Sequence, residues 1–182
     1  NKYNLMRITK FKYKLVNSTN DVAINLIKKK NIKSGYVITE KQKNGRGQRG
    51  KKWVSYKGNL FISIFFSLEK INLTLSQLTQ INAKLIIKLI SRYCNKKIKL
   101  KFPNDILINK KKVCGILQET IVKNGNRFII IGVGINLIKS PYLKDYPTTN
   151  LYELTKRKIS TSKIANELLF IYRNFLKSQK VF

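Results

Sequence analysis

The spacing of apolar residues along the chain predicts three helices. Between Thr74 and Tyr93, leucine and isoleucine recur every three or four residues, which places them on one face of an amphipathic helix. A similar stripe lies between Ser162 and Lys177. A shorter helix is predicted after the polar residues 18–21, whose side chains can cap its first turn, and it ends at lysines 28–30, whose charge suits the C-terminal end of a helix dipole.

Strands are predicted where apolar residues cluster or alternate with polar ones. Residues 59–66 are apolar on both faces, as a central strand requires, and residues 97–102 alternate up to Pro103. The other predicted strands are 36–40, 106–108, 113–122 and 127–135, with turns at 109–111 and 124–125. Residues 139–161 have the composition of a loop. This order of elements predicts an α+β fold with a mixed sheet.

The net charge is the most unusual feature of the composition. The 182 residues include 38 lysine and arginine against 8 aspartate and glutamate, so the formal net charge is +30. Such a charge is typical of nucleic-acid-binding proteins. However, there are 31 lysines and only 7 arginines, and arginine is the better ligand for phosphates and bases. We therefore expect weak, salt-sensitive binding to nucleic acids rather than recognition of a specific DNA.

The residues that the sequence lacks exclude several kinds of chemistry. It has no histidine, which excludes Ser-His-Asp and Cys-His mechanisms and the usual zinc sites. Cys94 and Cys114 are expected to be buried thiols in a reducing compartment, so we expect a cytoplasmic protein. No apolar run is long enough to span a membrane, and the first residues do not resemble a signal peptide. We expect neither a membrane partner nor export.

Several polar residues are candidates for a functional site. Residues 43–52 combine three glycines with five basic residues, which is typical of a loop that binds an anion, although a solvated basic turn has the same composition. Trp53 is either a stacking platform for a ligand or part of the core. Asp105 is a candidate Mg²⁺ ligand, or it shapes the turn that follows Pro103. Lys112 begins an apolar segment, but alone it would be interpreted as a surface charge.

Five motifs in a fixed order change this interpretation. They are Ser18-Thr19-Asn20 with Gln42, Gly-Arg-Gly-x-x-Gly-x-x-Trp at 45–53, Lys-Phe-Pro-Asn-Asp at 101–105, Lys-x-x-Gly-Ile-Leu at 112–117 and Gly-x-Gly-Ile-Asn at 132–136. Together they resemble the catalytic domain of biotin protein ligases (holocarboxylase synthetases) from about Leu15 to Leu137. The resemblance implies a class II synthetase-like fold, in which a mixed, largely antiparallel β-sheet has its helices packed on one side.

The resemblance also implies a reaction. Biotin attacks the α-phosphate of ATP to give biotinyl-5′-AMP, and a lysine of a biotin carboxyl carrier domain of acetyl-CoA carboxylase then attacks this intermediate. Positioning and cations suffice for such chemistry, which agrees with a sequence that has no histidine. The implied ligands are biotin, ATP and Mg²⁺. The edge strands of the sheet would allow a homodimer, although no feature of the sequence requires one.

Individual residues receive roles from the same resemblance. Lys112 and Arg46 are the implied catalytic cations. The residues implied at biotin are Ser18, Thr19, Asn20, Gln42, Arg46, Gly47, Gln48, Lys112 and Gly115. Those implied at ATP are Arg46, Trp53, Lys101, Asn104, Lys112 and Asn136, and Asp105 is implied at Mg²⁺.

Two departures from the family pattern are relevant to function. Gln48 occupies a position where the family usually has arginine, so we expect the adenylate to be held less tightly. We also expect one catalytic domain over residues 1–182, with a core at about 15–137 and a last helix at about 160–178, and without the helix-turn-helix and C-terminal β-barrel of many members. The alternatives are a lipoate ligase or octanoyltransferase, a ligase-like domain with impaired activity, and a basic nucleic-acid-binding protein.

Overall fold

The computed structural model of the chain describes residues 8–179 and 181, so the outermost residues of the domain predicted over 1–182 lie outside the described part. The strands are β1 (Thr9–Val16), β2 (Ser34–Gln42), β3 (Leu60–Ser67), β4 (Ile98–Lys101), β5 (Asp105–Ile108), β6 (Lys111–Lys123) and β7 (Asn126–Ile135). The helices are α1 (Thr19–Lys30), α2 (Leu75–Ser91), α3 (Leu151–Thr155) and α4 (Thr161–Ser178). No helix in the described part of the chain is long and apolar enough to cross a membrane.

All seven strands form one sheet in the order β1-β2-β3-β7-β6-β5-β4. Only β1 and β2 are parallel among the described neighbours, and the other pairs are antiparallel. The predicted α+β class with a mixed, largely antiparallel sheet is therefore confirmed. Strand β3 lies in the interior of the sheet, between β2 and β7, with seven of its eight residues buried, as its apolar sequence predicts.

The two faces of the sheet are covered by different helices. Ile62 and Ile64 of β3 belong to the larger core, which α2 and α4 cover, whereas Phe65 packs on the opposite face with Ala23 and Ile27 of α1. The expectation that the helices pack on one side is correct for α2 and α4 but wrong for α1. The physical reason is the sequence of β3, because a strand that is apolar on both faces must be covered on both.

Local signals explain where the helices begin. Ser18 caps α1 by accepting a hydrogen bond from the backbone N–H of Asp21, and Thr74 and Gln77 form a reciprocal capping box at the start of α2. The cap at Ser18 has a further consequence, because it places the polar residues 18–20 at the end of α1 that faces the loop between β2 and β3.

Candidate active site

A buried polar cluster lies at the N-terminus of α1. Ser18, Thr19 and Asn20 are each less than 5% exposed. The carboxamide oxygen of Gln42, at the end of β2, accepts a hydrogen bond from the backbone N–H of Thr19 at 2.9 Å. The Ser63 hydroxyl on β3 lies 2.7 Å from Thr19 Oγ1 and 2.5 Å from Asn20 Oδ1. These contacts fix a set of polar side chains that can recognise an uncharged polar group.

Arg46 joins the glycine-rich loop to this cluster through two carboxylates. Its NH1 and NH2 groups donate to the two oxygens of Glu119 on β6 at 3.0 and 2.7 Å, and its Nε and NH2 groups donate to Asp21 at 3.1 and 2.7 Å. Asn20 Nδ2 also donates to Glu119, at 2.8 Å. The hydrogen bond from Arg46 to Glu119 is the main cause that raises the pKa of the guanidinium. Arg46 therefore clamps the loop between α1 and β6.

The pKa of Glu119 reflects two opposing effects. Burial of the carboxyl group raises its pKa, but the hydrogen bonds from Arg46 and Asn20 and the charge of Arg46 outweigh burial, so the pKa lies below its ordinary value. Glu119 is consequently held as an anion beside the guanidinium.

Lys112 is the centre of a second charged group. Its Nζ lies 2.7 Å from Asp105 Oδ1, and the two side chains are only 19% and 17% exposed. The Tyr146 hydroxyl donates to the other carboxylate oxygen of Asp105 at 2.6 Å. The Lys112 ammonium also lies 5.1 Å from the ring centroid of Trp53 and 5.5 Å from that of Tyr146. Burial, with the hydrogen bond to Asp105, raises the pKa of Tyr146, so its hydroxyl remains a donor.

Trp53 packs directly on the backbone of the sheet. A Cβ atom at Gly134 would lie 2.5 Å from the Trp53 ring, and one at Gly115 would lie 2.6 Å from it. Glycine at these positions of β6 and β7 therefore makes room for the indole. The indole Nε1 is buried and has no hydrogen-bond partner among the described residues. Trp53 is part of the site rather than of either hydrophobic core.

These groups line two cavities that share a wall. All nine residues predicted to contact biotin line the inner cavity, and they are Ser18, Thr19, Asn20, Gln42, Arg46, Gly47, Gln48, Lys112 and Gly115. The outer cavity, of about 340 Å³, is lined by five of the six residues predicted at ATP, and they are Trp53, Lys101, Asn104, Lys112 and Asn136. The sixth, Arg46, faces the inner cavity. Lys112 and Trp53 line both.

The donors around Asp105 do not fit a metal ion held by the protein. One carboxylate oxygen is paired with Lys112 and the other accepts from Tyr146. No group of three or more cysteine, aspartate or glutamate side chains that could hold a metal occurs in residues 8–179 and 181. Mg²⁺ prefers several oxygen ligands and is usually held by carboxylates together with substrate phosphates. The geometry favours a role for Asp105 as the partner of Lys112.

Three residues that the sequence analysis did not select belong to the site, and they are Asp21, Glu119 and Tyr146. Asp21 and Glu119 are acidic, and together with Asp105 they account for three of the eight acidic residues of this strongly basic chain. All three pair with Arg46 or Lys112. The scarcity of acids was a usable signal for Glu119, because it is one of only eight acidic residues and lies within a predicted strand. No comparable signal marks Tyr146.

The fold and the site define an α+β protein whose two-part cleft, with a cation at the junction, suits two anionic small molecules. Residues 13–136 match the model of the biotin/lipoate A/B protein ligase family. The chain belongs to this family, which confirms the resemblance inferred from the motifs.

Characterised relatives agree with this assignment. The bifunctional ligase/repressor BirA of Escherichia coli is 34% identical over 126 residues, which are 68% of this chain and 39% of the relative. A biotin–[acetyl-CoA-carboxylase] ligase of Paracoccus denitrificans is 32% identical over 59% of this chain and 46% of its own length. The chain thus spans less than half the length of these two relatives.

Solved structures have the same fold. The biotin protein ligase of Aquifex aeolicus in complex with biotin and ATP superposes with a TM-score of 0.78 and 25% identity, over 93% of this chain and 70% of that one. The Leishmania major enzyme in complex with biotinyl-5-AMP gives a TM-score of 0.81 at 22% identity, over 94% and 76% of the two chains. The second likeness is evidence of fold alone.

Proposed function

We propose that this chain carries the catalytic part of a biotin protein ligase. It would activate biotin with ATP to biotinyl-5′-AMP, releasing pyrophosphate, and transfer the biotinyl group to a lysine of a carrier domain of acetyl-CoA carboxylase, releasing AMP. The observation that carries the proposal is the position of Lys112, whose side chain lines both cavities and is the cation at their junction. A carboxylate in one cavity and a phosphate in the other would meet at this ammonium.

The inner cavity supplies the recognition of biotin in this proposal. Its fixed polar side chains, Thr19, Asn20 and Gln42, would hydrogen-bond the uncharged ureido ring. The apolar side chains of Phe61 and Val133 line the same cavity and suit the rest of the molecule. Arg46 would keep the glycine-rich loop closed over the ligand, because its guanidinium is tied to α1 and β6.

The outer cavity supplies the site for ATP. Lys101 and Lys112 provide positive charge, while Trp53 and Leu143 provide apolar walls for a nucleobase. Mg²⁺ would neutralise the phosphates and would be held mainly by their oxygens, since the surrounding carboxylate is already paired. As the two anions approach, the Lys112 ammonium would offset the charge that develops on the α-phosphate oxygens, which is an effect that acts in the transition state.

The direct test is a biotinylation assay of the purified protein. The protein is incubated with biotin, ATP, Mg²⁺ and a biotin carboxyl carrier domain, with lipoate as a competing acid. The mass of the carrier domain after the reaction is then determined by mass spectrometry. We expect the mass of one biotinyl group. A lipoyl adduct would support the lipoate-ligase alternative, and an unmodified carrier would contradict both.

Lys112→Ala provides the mechanistic control for the assay. Deletion of a charge partner in the transition state is expected to lower the rate of adenylate formation by roughly two to three orders of magnitude. Lys111→Ala removes a neighbouring exposed lysine of the same strand and should retain full activity. Equal rates for the two variants would refute the role of Lys112.

The location and assembly of the protein remain predictions. We propose a cytoplasmic enzyme, because Cys94 and Cys114 are free, buried thiols, as expected in a reducing compartment. A homodimer is proposed only as compatible with the exposed sheet edges.

A further inference from the structure

We infer that Tyr146 and Asp105 are positioning residues that hold the Lys112 ammonium at the junction of the two cavities. This inference rests on the proposed function and deepens it, because it replaces the metal role that the family pattern implied for Asp105. The argument begins with the side chain of Lys112 itself. A lysine has four rotatable bonds and no preferred direction, so an ammonium at a defined point requires partners that fix it.

Three groups restrict this ammonium. Asp105 Oδ1 lies 2.7 Å from Nζ, and the rings of Trp53 and Tyr146 have their centroids 5.1 and 5.5 Å from it. The side chains of Lys112 and Asp105 are both more than four-fifths buried, so the ion pair is only weakly screened by solvent. The ammonium is therefore enclosed by one carboxylate and two aromatic rings.

Tyr146 in turn fixes the carboxylate. Its hydroxyl donates to Asp105 Oδ2 at 2.6 Å, which is the oxygen that Lys112 does not contact. A carboxylate bound on both oxygens cannot rotate freely, so the direction of Oδ1 is defined. Tyr146 thus acts on Lys112 in two ways, through the orientation of Asp105 and through the face of its own ring.

The backbone explains why Tyr146 reaches this position. The Lys112 N–H donates to the carbonyl of Pro147 at 2.8 Å, and the Thr149 N–H donates to the carbonyl of Lys112 at 2.9 Å. These two bonds attach the segment around Thr148 to the start of β6 like an extra strand. Because Tyr146 directly precedes Pro147, the segment that holds the Lys112 backbone also delivers the side chain that orients its carboxylate partner.

The contacts of Asp105 also argue against the alternative role as a metal ligand. Its Oδ1 forms the ion pair with Lys112 and its Oδ2 accepts from Tyr146, so Lys112 already neutralises its charge. A divalent cation at Oδ1 would displace the ammonium from the point where the two cavities meet. The same carboxylate cannot serve both purposes in one arrangement of the site.

The test compares variants that remove single parts of the cluster. Tyr146→Phe removes the hydroxyl and keeps the ring, Tyr146→Leu removes both, and Asp105→Asn removes the charge that holds the ammonium. Tyr142→Phe is the matched control, because Tyr142 lies four residues away in the same segment and is 90% exposed. For each protein, steady-state biotinylation of the carrier domain gives kcat and the KM values for biotin and ATP, and the Mg²⁺ concentration for half-maximal rate is measured separately.

We expect losses in kcat rather than in binding. A displaced catalytic group costs up to about a hundredfold, so we expect kcat to fall by roughly tenfold for Tyr146→Phe and by roughly a hundredfold for Asp105→Asn. Both KM values should stay within about twofold, the Mg²⁺ requirement should not move, and Tyr142→Phe should match the wild type. A Tyr146→Phe protein with the kcat of Tyr142→Phe, or a higher Mg²⁺ requirement for Asp105→Asn, would overturn the inference.

Crystal structures of the wild type and Tyr146→Phe supply a readout that needs no activity. We expect the Lys112 ammonium to contact Asp105 in the wild type and to leave that position in the variant. An ammonium that stays in place without the Tyr146 hydroxyl would overturn the inference even if the wild type proved inactive. A wild type that forms no adenylate would refute the proposed function instead, so the two failures are distinct.

Discussion

Glu119→Gln should weaken the clamp that holds the glycine-rich loop against the sheet. Glutamine preserves the shape of the side chain and one oxygen that can accept from Asn20. It removes the negative charge, and its NH₂ group faces a guanidinium that can only donate. The substitution therefore breaks one of the two hydrogen bonds from Arg46, at 3.0 and 2.7 Å, and weakens the other.

The size of the effect follows from the burial of the pair. A hydrogen bond to a charged group contributes about 1.5–3 kcal/mol when buried, whereas an exposed ion pair contributes about 0–1 kcal/mol. The Arg46 and Glu119 side chains are 36% and 28% exposed, so the pair lies between these limits. Its contribution must therefore be reduced to allow for screening by solvent. We expect a loss of about 1–2 kcal/mol in the free energy of unfolding, which corresponds to a decrease of roughly 2–8 °C in Tm.

The assay is urea unfolding at pH 7, followed by circular dichroism. Glu40→Gln is the matched control, because Glu40 pairs with Lys57 at 3.1 Å but the two side chains are 41% and 79% exposed. This surface pair should contribute less than about 0.5 kcal/mol. Equal losses for the two variants, or no loss for Glu119→Gln, would refute the reasoning from burial.

The same substitution should change the response to acid. The pKa of Glu119 is lower in the folded protein than in the unfolded chain, so its contribution is complete above the unfolded value and disappears as the pH falls through the folded one. The wild type and Glu119→Gln should therefore differ by a constant amount at neutral pH and converge in acid. A difference that does not decrease at all as the pH is lowered would contradict the assignment of the low pKa.

Three further substitutions test other parts of the site. Gln48→Arg adds a cation to the loop over the inner cavity and should slow the loss of labelled adenylate; equal or faster loss would contradict the prediction. Gly134→Ala should displace the Trp53 ring, which would lie 2.5 Å from the new Cβ, and destabilise the protein by about 1–3 kcal/mol. Combining it with Trp53→Leu should restore part of this stability. No coupling between the two substitutions in unfolding experiments would refute a steric cause. Ser63→Ala leaves the buried Asn20 oxygen without its 2.5 Å partner and should cost about 1–3 kcal/mol in the same assay, so an unchanged stability would contradict it.

Most of the fold could be predicted because its main elements have local signals. The apolar stripe at 74–93 and the apolar run at 59–66 correspond to α2 (Leu75–Ser91) and β3 (Leu60–Ser67). The structure contains one strand and one α-helix that the sequence analysis did not predict. In strand β1, lysines 10, 12 and 14 alternate with Phe11, Tyr13 and Leu15. None of these residues is fully buried, because β1 lies at the edge of the sheet, so this strand lacks the apolar run that marks a buried strand. Helix α3 spans only five residues, which is too short for a periodic pattern.

The site was predictable to a different degree. Motifs identify residues that share a local pattern, and the residues predicted at biotin and ATP do line the two cavities. The contacts that organise these residues depend on tertiary structure. Arg46 is separated from Glu119 by 73 residues, and Tyr146 is separated from Asp105 by 41. No periodicity or spacing within the chain encodes such a pair, so the roles of Glu119 and Tyr146 emerge only from the fold.

The place of the indole between the two cavities has a practical consequence. Trp53 is the only tryptophan in the sequence, and its ring borders both cavities. Excitation at the long-wavelength edge of protein absorbance, where tyrosine absorbs little, would therefore report on this one location. Occupation of either cavity would change the polarity around the ring, so unlabelled protein in a stopped-flow fluorimeter could time the arrival of each ligand separately.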